Sequence, residues 1–175
     1  MRSKLSKKTE IPLEEGEKIA KEFIDATREF NERIEIGGSI RRKTPIVHDI
    51  DLCAIAKRPV AEFSEIVKKV GGKMIRFGGE YATIVFHGVQ INVLFVTEET
   101  WGAGLMWSTG PKGHTIGMNI KAEKLGLKFN RAGIRRRSDG CLIPTPTEED
   151  IAKLLHWNYK PPEKRGLAEN EPSYP

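Results

Sequence analysis

The sequence predicts an α+β fold, a mixed sheet with helices on one face followed by a smaller α+β lobe. Three observations carry that reading. Helix-spaced apolar residues open the chain, strand-like alternation fills its middle, and after Thr97 short helices and a strand pair replace the long alternating runs. A chain of 175 residues can bury a real core, and its net charge of +5, from 29 Lys and Arg against 24 Asp and Glu, favours an anionic partner without naming one. The expected divisions are a flexible basic arm at 1–10, the sheet lobe at 11–97, the smaller lobe at 98–165 and a tail at 166–175.

Taken in order, Pro12 opens a helix whose apolar positions Leu13, Ile19, Ala20, Phe23, Ile24 and Phe30 recur at three- and four-residue spacing. Ile34 to Ile36 is a short strand running into a Gly37-Gly38 turn, and His48 to Ala56 is the next strand. A second amphipathic helix runs from Val60 to Val70 and stops at Gly71-Gly72. Met74 to Phe77, Tyr81 to Phe86 and Val89 to Val96 form a meander with turns at Gly78-Gly79 and His87-Gly88. This leaves the face of the sheet away from the helices open for a site. Glu98 to Ser108 and Pro111 to Lys124 follow as two short helices hinged at Thr109-Gly110, then a strand pair around Leu127 to Phe129 and Gly133 to Arg136. Thr145-Pro146-Thr147-Glu148 reads as a capping box that opens the last helix.

Cys53 and Cys141 form neither a metal-ligand spacing nor a disulfide framework; both read as small buried residues of a protein in a reducing, cytoplasmic compartment. No apolar run approaches membrane-spanning length, so no membrane association is expected.

The chemistry concentrates between Ile36 and Leu52. Alternate side chains of a strand share a face, so Asp49 and Asp51 point one way while Ile50 and Leu52 point into a core. Paired carboxylates repel unless something positive lies between them, and a divalent cation held by oxygen ligands is the usual answer. Just upstream, Gly37, Gly38 and Ser39 supply a turn whose backbone can approach a phosphate, with Arg42 to neutralise it. A phosphate grip and metal ligands in one short segment point to phosphoryl or nucleotidyl transfer. On the last strand of the meander Gln90, Asn92 and Leu94 share a face, which brings Asn92 towards the two aspartates. The turn carrying Arg131, Arg135, Arg136 and Arg137 is basic.

With these residues in view the chain resembles the palm and thumb of family X DNA polymerases, from about Ile11 to Arg165. The likeness rests on co-linear segments: Ile-Glu-Ile-Gly-Gly-Ser-Ile-Arg-Arg at Ile34 to Arg42, Asp49-Ile50-Asp51, the strand at Gln90 to Val93, Ser108-Thr109-Gly110 and Pro111-Lys112-Gly113-His114-Thr115. Lys124-Leu125-Gly126-Leu127-Lys128 and a closing Tyr-x-Pro-Pro-Glu complete it. The resemblance implies a nucleotidyltransferase palm binding two Mg²⁺ ions, with Mn²⁺ as a substitute, and a thumb that closes on the nascent base pair. By this likeness Asp49 and Asp51 bridge the metals, with Asn92 at the third ligand position. Gly38, Ser39 and Arg42 hold a deoxynucleoside triphosphate, while Trp107, Ser108, Thr109, Gly110, His114 and Thr115 face its sugar and base. Lys112, Asn119, Lys121, Lys124, Lys128, Arg135, Arg136 and Arg137 grip a primer-template or gapped DNA, with the protein acting as a monomer in short-gap repair.

The chain departs from the family's pattern at several positions. Asn92 stands where the family has a third catalytic aspartate and Gln90 where a basic residue is frequent; an amide lacks the charge that attracts a cation, so transfer is expected to be impaired. Because every other part of the metal and phosphate site matches, an introduced Asp→Asn exchange is preferred over natural degeneration. Trp107-Ser108 replaces an aromatic pair, Asn119 replaces a template-probing arginine, and the 175 residues leave no room for the family's amino-terminal DNA-binding domains. Two alternatives stand beside the polymerase reading: a template-independent or small-substrate nucleotidyltransferase, and a catalytically silent nucleic-acid-binding protein.

Overall fold

A computed structural model describes residues 9–166; the basic arm and the tail expected at the two ends lie almost wholly outside the described residues. The chain begins with β1 (Ile11–Pro12) and α1 (Leu13–Ala26). Extended Pro12 precedes the helix, Glu14 and Glu15 sit at its positive end, and Gly16, Ile19, Ala20 and Phe23 form its buried stripe. The helix stops four residues before Phe30, where the apolar spacing had extended it. Thr27 Oγ1 bonds back to the Phe23 carbonyl at 2.8 Å and Asn31 Nδ2 to the Thr27 carbonyl at 3.2 Å, a local side-chain network that competes with another helical turn. Phe30 then packs with Phe63 and Phe95 in an aromatic cluster with ring centroids 4.9–6.0 Å apart.

Next come β2 (Asn31–Ile36), α2 (Gly38–Arg41), β3 (Ile46–Val47), β4 (Ile50–Ala56), α3 (Phe63–Lys69), β5 (Lys73–Gly78), β6 (Tyr81–Phe86) and β7 (Val89–Phe95). The main sheet has the order β2-β4-β7-β6-β5, and β4 and β7 run parallel while the other neighbours are antiparallel. β6 and β7 join through His87 and Gly88, both at positive φ, the pairing a two-residue hairpin turn requires. Ile50, Leu52, Ala54, Ile91, Val93 and Ile84 pack into one core with α1 and α3. The mixed sheet and the α+β class are as the sequence indicated.

The other face of the sheet is only partly open. α4 (Trp101–Thr109) lies on it, with Trp101 and Leu105 packed against Cys53 and Ile55. The opposite side of α4 supplies Ala103 and Met106 to a separate core formed by α5 (Lys112–Lys124), β8 (Leu127–Asn130), β9 (Gly133–Arg136) and α6 (Glu148–Leu154). β10 (Leu142–Ile143) completes a small antiparallel sheet of order β10-β9-β8. A helix serving two cores must be apolar all round, and Trp101 to Met106 are all buried. Only the part of the sheet beyond the C-terminal end of α4 remains for a site.

Two further sequence expectations are corrected. The final cap is not Thr145 but Thr147, whose hydroxyl accepts from Asp150 N at 3.2 Å while Asp150 answers at Thr147 N; Glu148 is buried and has another task. Cys53 is buried, and burial pushes its thiol up to about 12, but Cys141 is exposed in a turn where its amide donates to Asp139. Among the described residues no helix is long and apolar enough to cross a membrane.

The contact of α4 with the sheet depends on Gly104, because a Cβ there would lie 2.5 Å from Val96 Cγ1 and 3.2 Å from Cys53 Sγ. Gly104→Val is expected to lower stability by about 1–3 kcal/mol through overpacking. Gly113→Ala, in an exposed turn of α5 with open space around it, is expected to raise it by about 0.5–1 kcal/mol. Urea midpoints of the two variants against the parent check both signs.

Candidate active site

Asp49 immediately precedes β4 and Asp51 is its second residue. Parallel pairing sets Asp51 directly beside Asn92 on β7, and antiparallel pairing sets Thr83 of β6 on the far side of Asn92. The row is hydrogen-bonded. Asn92 Nδ2 donates to Asp51 Oδ1 at 3.1 Å, while its carbonyl oxygen accepts from Thr83 Oγ1 at 3.2 Å and Gln90 Nε2 at 3.1 Å. The third position of the constellation therefore turns a donor, not an acceptor, towards the aspartate.

α2 hangs over this row. Gly37 N donates to the Asp51 carbonyl at 2.7 Å, which pins the glycine turn to the start of β4. Gly38 has φ +57°, and a Cβ on it would collide with Asp51 Oδ2. Glycine here leaves the aspartate's second oxygen room to face the cavity. The cavity above measures about 440 Å³, within the range of small-molecule sites. Gly38, Arg42, Asp51 and Asn92 form its polar end; Tyr81, Leu94 and Trp107 form an aromatic and apolar end; and Ser108, Thr109, Gly110, Lys112 and Thr115 close the side towards α5.

Arg42 leans over the same space. Burial lowers its pKa, opposed by the carboxylates of Asp51 and Asp49. Its Nη1 donates to the Thr109 carbonyl, so the expected phosphate ligand is engaged to the hinge. Ser39 lies half-buried in α2 with its carbonyl bound to Thr44 and is not part of the cavity wall. His114 is also placed away from the cavity, 1% exposed with its ring edge-on to Trp157, because it falls on the buried stripe of α5 with Met118 and Ala122. Trp107 is half-exposed and leans on Phe129 at 5.7 Å.

Behind the cavity lies a charged cluster that the sequence did not reveal. Arg41 donates from Nη1 to Thr109 Oγ1 at 2.9 Å and from Nη2 to Glu148 at 2.5 Å, and Glu148 also takes Arg165 Nη1 at 2.8 Å. Glu148 is 4% exposed, as is Arg165. Burial alone would raise the Glu148 carboxyl, but Arg41 and Arg165 hold it below the usual carboxylate range. Glu148 was hidden in an apparent capping box, and Arg41 was overshadowed by its neighbour.

The comparisons with known proteins bear on this arrangement. Residues 104–166 match the family model described as the DNA polymerase beta thumb. Over those residues the chain is similar to the thumb of DNA polymerase beta. It is also similar to the DNA polymerase/3'-5' exonuclease PolX of Bacillus subtilis (strain 168), 23% identical over 170 residues that cover 94% of this chain. The chain spans 30% of that relative's length. The thumb match begins within α4, so α4 and the turn after it lead from the sheet lobe into the matched region.

The thumb's cations are unevenly engaged. Arg136 pairs with Asp139 at 3.2 Å, and Arg137 pairs with Glu123 at 2.9 Å and bonds the Leu127 carbonyl. Arg135 reaches the Gly140 carbonyl. Lys112, Lys124 and Lys128 are exposed, while Lys121 and Asn119 are half-buried on α5.

Two outcomes test the charged cluster. Removing the Glu148 charge leaves two arginines without their common anion, so Glu148→Gln is expected to cost about 3–5 kcal/mol at neutral pH. Its folded pKa lies below the unfolded value, so the cluster's contribution is complete above the usual carboxylate pKa of about 4.3 and is lost as pH falls through the depressed folded value. Urea midpoints from neutral into acid pH are expected to show that loss in the parent and a flatter acid limb in the variant.

Proposed function

We propose that this chain is a nucleotidyltransferase of the DNA-polymerase type, adding deoxynucleotides to a primer in short-gap repair, with its transfer step weakened by Asn92. The observation that carries the reading is the hydrogen-bonded row Asp51–Asn92–Thr83 lying beneath Gly38 and Arg42 in one cavity. A carboxylate under a glycine turn and a guanidinium, with a second carboxylate two residues upstream, suits a triphosphate bound through a divalent cation.

The donor set fits Mg²⁺, or Mn²⁺ in its place. Asp49 and Asp51 offer hard oxygens, Gly38 places no side chain against Asp51 Oδ2, and substrate phosphates complete such shells when protein carboxylates are few. Among the described residues no cluster of three or more His, Cys, Asp or Glu side chains is placed to hold a metal ion, so the protein side of the site rests on two carboxylates and an amide. Bound cations there would neutralise phosphate charge and polarise the phosphorus under attack.

The remaining work falls to the chain. Arg42 exchanges the Thr109 carbonyl for a phosphate oxygen, and the backbone around Gly38 approaches the same group. A primer 3′-hydroxyl forms the new bond to the α-phosphorus as the bond to pyrophosphate breaks, and its proton must leave. A carboxylate at position 92 would draw positive charge to that oxygen and favour loss of the proton. Asn92 does neither, and its carbonyl is already engaged by Thr83 and Gln90. The loss is expected to be about 10²-fold or more if it resembles removal of one charge-stabilising group.

The same network favours a second reading, a protein that binds nucleotide and DNA without turnover, because an amide completes every hydrogen bond in the row. Asn92→Asp separates the two. Under the first reading it gains templated primer extension with Mg²⁺ by about 10²-fold or more, with little extension of an unpaired strand. Nucleotide binding without extension in Asn92→Asp favours the silent protein, and extension of the unpaired strand favours a template-independent enzyme. In either reading that keeps the site, nucleotide affinity measured by titration calorimetry falls on chelation of the metal and in Asp51→Asn.

A further inference from the structure

We infer that Tyr81, held in place by Arg131, is a positioning residue for the nucleoside at the 3′ end of the acceptor strand. The inference rests on the nucleotidyl-transfer reading and adds the side from which the acceptor approaches.

In phosphoryl transfer the attacking oxygen, the phosphorus and the leaving oxygen lie roughly in line. The sheet gives the site a direction along which to place that line. Gly38 and Arg42 stand over β4, at the end of the cavity suited to the departing pyrophosphate. The opposite end points across the sheet to β7 and then β6. There the site-facing residues are Asn92 and Thr83 in one row and Leu94 and Tyr81 in the next. Ala82 and Ile84, which alternate with them on β6, are fully buried in the core. An acceptor hydroxyl aligned opposite the leaving group brings its nucleoside over this end of β6, where Tyr81, unlike Thr83, lines the cavity.

The ring is prepared for such a contact. Tyr81 is half-buried and lines the cavity. The Arg131 guanidinium, from the turn between β8 and β9, sits over the ring 4.9 Å from its centroid. This contact fixes the ring from the thumb, and what the ring gives to the cavity is the rest of its surface.

Beyond the ring the surface suits a polynucleotide more than a single nucleotide. Arg131 also lines a second cavity of about 510 Å³ with Arg58 and Arg135. Glu80 and Glu99 share that wall, and Arg58 is paired with Glu62 at 2.7 Å, so Arg131 and Arg135 are the cations placed for the acceptor's phosphates. Lys128, the register partner of Arg135, extends the same hairpin.

The test measures binding by fluorescence anisotropy of a labelled primer-template with a recessed 3′ end, and Mg²⁺-nucleotide affinity separately. Tyr81→Ala is expected to weaken DNA binding by about 5- to 100-fold, the effect of losing one base-stacking or sugar-packing ring. Tyr81→Phe is expected to stay close to the parent. Arg131→Gln weakens DNA binding and lowers the salt slope by about one. Nucleotide affinity is expected to fall less than DNA affinity in all three, since the phosphate grip of Gly38 and Arg42 is untouched. If Tyr81→Ala does not fold, as judged by its thermal melt, Arg131→Gln decides: an unchanged DNA affinity and salt slope overturn the inference. DNA affinity unchanged in a folded Tyr81→Ala also overturns it, as does a loss confined to nucleotide binding. A parent chain that binds neither DNA nor nucleotide defeats the nucleotidyl-transfer reading itself, whereas a parent that binds both with unaffected variants defeats only the role of Tyr81.

Discussion

The parallel pairing of β4 with β7 is the constraint on which the site depends. Because strand side chains alternate, the register that buries Ile50 and Leu52 beside Ile91 and Val93 must also bring Asp51 beside Asn92 on the other face. A slip of one residue would exchange the two sets, placing carboxylate in the core and isoleucine in the cavity. The hydrophobic core therefore holds the polar row in register, and the polar row needs no rigidity of its own. Gly37 adds a fixed distance by bonding the Asp51 carbonyl, so the glycine turn cannot drift from the strand it overhangs.

The second element of order is the convergence of two neighbouring arginines on Thr109. Arg42 takes its carbonyl and Arg41 its hydroxyl, while Thr109 Oγ1 also donates to the Leu105 carbonyl at 2.7 Å. α2 and the end of α4 thus share one fully buried residue. A phosphate seated against Arg42 would act on the same atoms that join the two lobes, which links occupancy of the cavity to the geometry of the hinge.

Much of the fold was legible because it follows from short-range regularities. The buried stripe of α1, the alternation of β6 and β7 and the glycine punctuation between strands are local signals, and each led to the right element. The errors share a cause as well. α1 ends early and the final helix is capped two residues late because side-chain to backbone bonds at Thr27 and Thr147 decide where helices start and stop. α4 on the second face of the sheet could not be read, since an apolar helix does not say which of two cores it serves. Of the residues that line the cavity, Asp51 and Asn92 were legible from strand alternation and Gly38 and Arg42 from the turn just upstream, whereas Asp49 precedes β4 and is not part of the cavity wall. Glu148 was missed because its partner Arg41 lies 107 residues away in sequence, and Arg165 because it pairs with that same hidden Glu148. His114 showed the converse, a residue with suggestive chemistry that helical periodicity turns inward.

The buried Glu148 belongs to one lobe and Arg41 to the other, with Arg165 near the end of the described chain. Severing the molecule between its lobes would leave Arg41 without its carboxylate partner and Glu148 with Arg165 alone. The halves are consequently poor candidates for separate domains. Heat or denaturant should melt them in a single cooperative step, and any recombination that trades one half for another must bring a matching partner for that charge.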